Sequence, residues 1–133
     1  MNTIRIIQII AGLAGLGALI LGLLFWIANI NLLNIHMSFG VLVVLTLLAL
    51  AILAVLTKGL RMLGVVGIVY APLVLLFGLT QSSLLVGNLH WLIQTAHLLV
   101  GLGALALIGI ISTRYLRLKQ SRSGITVPSQ ATQ

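Results

Sequence analysis

The sequence predicts an all-α membrane protein: four transmembrane helices in an antiparallel up-down bundle, built as two hairpins related by a parallel pseudo-twofold repeat. Three observations carry this expectation. Of the 133 residues, 61% are apolar and 5% are charged, whereas about a quarter of an ordinary globular domain is charged. The apolar residues gather in four runs, each close to the roughly 20 residues with which a helix crosses a hydrocarbon core of about 30 Å. The Lys and Arg residues are spaced so that an even number of crossings puts all of them on one side of the bilayer.

The first span, residues 4–28, follows Arg5 closely, as a signal peptide would. Its apolar stretch is too long and lacks a convincing small-x-small cleavage site, so it reads as an uncleaved helix. Ala11, Gly15, Ala18 and Gly22 recur along it at helical spacing and form a smooth seam for close helix packing. The second span, 35–56, opens with His36 and carries Gly40 one turn later. The link 57–62 contains Lys58-Gly59 and Arg61. The third span, 63–79, contains Pro72, which is expected to bend it. The fourth, 89–112, carries His90, Gln94, His97, Gly101 and Ala104 at four-three spacing, an inward-facing polar stripe grading into small residues. Residues 1–113 thus form one transmembrane domain. The remainder, 114–133, is basic and then polar, and its composition predicts a disordered tail.

Orientation follows from the cations. Arg5, Lys58, Arg61 and the four basic residues after position 113 all fall on the cytoplasmic side if there are four spans, which places both termini in the cytoplasm of a prokaryotic-type cell membrane. Trp26 and Trp91 then sit as aromatic anchors near the outer interface.

Composition also removes whole classes of chemistry. There are seven Lys and Arg, no Asp, Glu or Cys, and three His. Paired-carboxylate hydrolysis, carboxylate-bound Mg²⁺ or Ca²⁺, and thiolate metal sites are therefore excluded. Nucleic acid is excluded as a partner because the cations form no patch interleaved with aromatics. Proton-coupled transport lacks an ionisable acid, and only one helix is interrupted by Pro.

The functional signal appears when the chain is compared with itself at an offset of about 61 residues, the parallel type of internal repeat. His36 falls on His97, Gly40 on Gly101, Gly17 on Gly78 and Lys58 on Lys119. Equivalent residues of such a repeat face each other at equal depth. His36 and His97 lie near the outer face, since each precedes its lysine by about 33 Å of helix. Two neutral imidazoles on opposed helices are what the axial positions of a haem iron require. His36 and His97 are the predicted metal ligands, with Gly40 and Gly101 clearing space for the cofactor. His90 and Gln94 are further cofactor-binding candidates: His90 could hydrogen-bond a propionate, serve a quinol site, or replace His97 as ligand.

At these residues the sequence resembles one four-helix half of the haem A synthase family. Ile35-His36 followed by Gly40 is similar to the start of that family's second helix, and Thr95-Ala96-His97-Leu98-Leu99 to its fourth. The resemblance implies a b-type haem held by a histidine pair near the outer face. The family's oxidising half carries a Glu one turn before the second-helix histidine, and Leu33 occupies that position here. The resemblance therefore implies a cofactor-holding role without haem A synthesis.

The expected function is a membrane b-type cytochrome carrying haem b and transferring electrons, not a catalyst on its own. The alternative is a small accessory subunit of a respiratory or photosynthetic complex, with seams packed on other membrane subunits or in a homodimer and no cofactor of its own. A chlorophyll held by one His, a quinone site and a small-solute pathway are further alternatives.

Overall fold

A computed structural model of the protein describes residues 3–28 and 30–123. Among them, four α-helices follow in order: α1 (Thr3–Ala28), α2 (Leu33–Leu56), α3 (Arg61–Thr80) and α4 (His90–Ser123), with a single 3₁₀ turn, Gln81–Ser83, after α3. The helices form a four-helix bundle, and each is long and apolar enough to cross a membrane.

Helix α2 is the centre of the bundle. It packs on α1, α3 and α4, whereas α1 and α3 make no contact with each other among the described residues. Its buried stripe of Leu47, Leu50, Ala51 and Ala54 repeats at the spacing of one helix face. Small residues on α3 complete the α2–α3 interface: a Cβ added to Gly64 would lie 2.5 Å from the Val55 nitrogen and 2.7 Å from the Ala51 carbonyl oxygen. The two backbones therefore come into contact, a close approach that the absence of a side chain at Gly64 permits. Ala11 and Ala14 of α1 and Ala104, Ile108 and Ile111 of α4 close the rest of the core. Buried hydroxyls are satisfied within their own helices, Ser112 Oγ donating to the Ile108 carbonyl at 2.7 Å and Thr46 Oγ1 to that of Val43 at 2.8 Å. The outer surface is apolar, with Leu13, Ile27, Leu56, Met62 and Leu99 all exposed.

The α2–α3 connection is a tight turn. Leu60 N–H donates to the Thr57 carbonyl at 3.0 Å, and Gly59 sits at φ +93°, a left-handed position at which glycine is the unstrained choice. Helix α3 continues without interruption through Pro72.

One boundary departs from the sequence expectation. Helix α4 does not end near residue 112 but runs to Ser123, so residues 113–123 are helical; the rest of the expected disordered tail, 124–133, lies outside the described residues. The segment reads as polar, yet Arg, Leu, Lys and Gln are good helix formers and no Gly or Pro intervenes before Gly124. Tyr115, Leu116 and Leu118 also pack against the core, which gives the extension a buried face.

Candidate functional site

His36 lies in the first turn of α2 and His97 in the second turn of α4, and the diagonal contact between these helices brings the rings together. Their centroids are 6.0 Å apart, with the planes inclined at 61°. The pair predicted from the repeat is therefore adjacent in space.

Each ring is held differently. His36 Nδ1 is 2.8 Å from the Ala18 carbonyl oxygen of α1. A carbonyl can only accept, so Nδ1 carries the proton, and in the neutral ring the Nε2 lone pair is left free. Gly22, one turn beyond Ala18, makes room for this ring, since a Cβ there would sit 3.2 Å from His36 Cε1. His97 lies against α3, with the Phe77 ring centroid 6.0 Å away and Gly78 beside its Cε1. Its Nδ1 is buried and has no hydrogen-bond partner. Most buried polar atoms in folded proteins are paired, so an orphan of this kind calls for an explanation.

The two histidines border a cavity of about 250 Å³. Gly40 and Gly101 line it, and a Cβ added to either would meet nothing within 4 Å. The open space expected one turn after each histidine is therefore present. His90 and Gln94 line the same cavity, so all six predicted site residues converge on it. His90 Nδ1 donates to the Leu84 carbonyl at 3.2 Å, tying the start of α4 to the preceding loop. Leu33 also lines the cavity. Among the described residues, no three metal-ligating side chains of the His, Cys, Asp and Glu types come together.

Several neighbours carried no signal in the sequence. The Ala18 acceptor is main chain, which residue type does not reveal. Gln81 and Ser82 reach the cavity from the 3₁₀ turn. The 61-residue offset also fails in detail, because Gly78 lies beside His97 while its counterpart Gly17 lies against Phe39, and Gly22 stands beside His36 instead. The α1 seam is used inside the chain: Ala11 is fully buried, Gly15 faces Leu105, and Ala18 and Gly22 serve His36.

These features define a bundle of four apolar helices enclosing a histidine-bordered cavity. Comparison with family models, with curated proteins and with solved structures finds no match to this chain.

Proposed function

We propose that this chain is a membrane-embedded b-type cytochrome that holds one haem b between His36 and His97 and transfers electrons near the outer face of the bilayer. The observation that carries the reading is the ring separation. Two imidazoles sharing one metal have centres about 6 Å apart, because the metal–nitrogen bond is about 2 Å and the nitrogen lies about 1 Å from its ring centre. The 6.0 Å between the His36 and His97 ring centroids is compatible with this spacing.

The surroundings support it. The bond from His36 Nδ1 to a backbone carbonyl fixes the tautomer and ring orientation in the manner usual for metal-binding histidines. The open space at Gly40 and Gly101 accommodates a flat group alongside the helices, and the Leu and Val side chains of the lining exclude water. His90, Gln94, Gln81 and Ser82 offer polar contacts in the same lining. Haem bound here would supply a one-electron Fe(III)/Fe(II) couple, tuned by the apolar shell around it. The residue at the position of the haem A synthase Glu is Leu33, and the chain has no carboxylate side chain, which favours holding the cofactor over oxidising it.

The same reading takes the helices as antiparallel spans with both termini cytoplasmic. Short connections between consecutive helices favour antiparallel neighbours. The late residues Ala18 and Gly22 of α1 lie beside the early His36 of α2, and the late Phe77 and Gly78 of α3 lie beside His97. A parallel repeat of two hairpins is consistent with the opposed histidines, with its local register relaxed around Gly17 and Gly22.

The test is an absorption spectrum of the purified protein, oxidised and then reduced. A sharp reduced-haem band is expected, and His36→Ala or His97→Ala should each abolish it. A colourless preparation from haem-sufficient cells would overturn the proposal.

A second reading, that the chain is a subunit of a larger membrane complex, is favoured by Gly12 of α1 and Gly109 of α4. A Cβ at either would meet nothing within 4 Å, which leaves two smooth positions for a helix from outside the chain. The two readings are compatible.

A further inference from the structure

Several of the seven cations of this chain lie on one structural unit. A Cβ at Gly59, in the α2–α3 turn, would lie 3.9 Å from Leu118 Cδ1, so the extension of α4 rests on that turn. Leu60 beside it is buried at 2% exposure, and Leu118 packs against the core, so the contact is apolar and built in. Lys58 projects from the turn, Arg61 from the first residue of α3, and Arg114 and Arg117 from the extension; all four are exposed. Arg114 stands one turn before Leu118 on the same helix face, which brings it to the side of α4 that meets the turn.

Two facts give this cluster a ligand. The chain contains no Asp or Glu, so no side-chain carboxylate can neutralise these cations from within. The cluster also begins where the apolar spans end: Arg114 follows the buried Ser112 by two residues, and Lys58 follows the last residue of α2 by two. At about 1.5 Å per residue, residues 113–123 carry α4 roughly 16 Å past the apolar segment, through the depth that lipid headgroups occupy.

We propose that the α2–α3 turn and the α4 extension together form a binding site for the phosphate-bearing headgroups of anionic phospholipids. The proposal rests on the membrane reading of the four helices and is independent of the haem reading. Basic clusters immediately flanking a membrane span attract anionic lipid, each cation contributing a factor of about five near the surface. Docking Leu118 on the turn holds two sources of cation together, so the ligand meets a fixed cluster instead of separate flexible side chains.

The test uses the full chain in neutral-detergent micelles, titrated with phosphatidylglycerol, phosphatidylcholine or inorganic phosphate, with bound lipid counted by native mass spectrometry. Phosphatidylglycerol should bind selectively and weaken as salt is raised. Combined Lys58→Gln, Arg114→Gln and Arg117→Gln should lower its affinity on the order of 100-fold, while Lys58→Arg with Arg114→Lys and Arg117→Lys should retain it. Equal binding of phosphatidylcholine would overturn the proposal, as would unchanged affinity in the neutral variant. Displacement by inorganic phosphate at equal concentration, which would mark a simple anion site, overturns it, as does capture of an acidic peptide with no phosphatidylglycerol binding. If the neutral variant loses helicity, the salt titration of the unaltered chain decides, and salt-independent binding refutes the site.

Discussion

Replacing His97 with Leu separates a histidine kept for a ligand from one kept for packing. His97 Nδ1 is buried without a hydrogen-bond partner, and stranding a polar atom in this way costs about 1–3 kcal/mol. The ring recovers part of this through its contacts with Phe77 and His36, both at 6.0 Å; each such pair contributes about 0.5 kcal/mol at the low end of the aromatic range. Leu removes the stranded nitrogen and keeps apolar contact with the cavity wall. His97→Leu should therefore leave the haem-free protein as stable as before, or up to about 1–2 kcal/mol more stable. His36→Leu should act in the opposite direction, because it deletes the 2.8 Å bond to the Ala18 carbonyl, a loss of about 0.5–1.5 kcal/mol. The assay is reversible unfolding in mixed micelles, followed by far-ultraviolet circular dichroism, on protein from haem-deficient cells. In haem-sufficient cells both variants should lose the reduced-haem band. A His97→Leu protein destabilised by more than about 2 kcal/mol without haem would refute the reasoning, since a cost of that size identifies a side chain on which the fold itself depends.

Three further outcomes test the packing around the site. Gly64→Ala should cost at least about 1–3 kcal/mol, because its Cβ would meet backbone atoms of α2 that cannot turn aside, whereas Gly12→Ala should be neutral or stabilising by up to about 1 kcal/mol; unfolding midpoints of the pair check this. Gly101→Leu places its side chain in the open space of the cavity and should abolish haem binding with little change in the stability of the haem-free protein, as read by absorption and by unfolding of the same preparation. Tyr70 Oη donates to the Val100 carbonyl at 3.0 Å, linking α3 to α4, so Tyr70→Phe should lower stability by about 1 kcal/mol.

What could be read in advance follows from how each feature is encoded. The four helices were legible because each is an apolar run long enough to cross a membrane, and such runs stand out against turns like Lys58-Gly59. The meeting of His36 and His97 was legible from their equivalent positions at the 61-residue offset. The length of α4 was not. Its charged residues marked the end of the apolar run, which is not the end of the helix; Leu118 finding the α2–α3 turn is a tertiary event that local composition does not announce. The partners of the two rings were equally hidden. Ala18 acts through its carbonyl, which every residue possesses, and Gly22 stands beside His36 while Gly17 does not because the helices settle in a register that no spacing rule supplies.

The cavity draws its walls from all four described helices, and this makes the site a product of their joint assembly. His36 can be anchored as soon as α1 and α2 lie together, since both halves of its bond to Ala18 are then present. The opposing ring, together with His90, Gln94 and Gly101, belongs to α4, which follows the other three described helices in chain order and so emerges after them during synthesis. A chain stalled or truncated before α4 therefore has one prepared imidazole and no enclosure. Any group that needs both rings can be held only once α4 has packed on α2, so binding in the cavity would report on assembly of the four-helix unit.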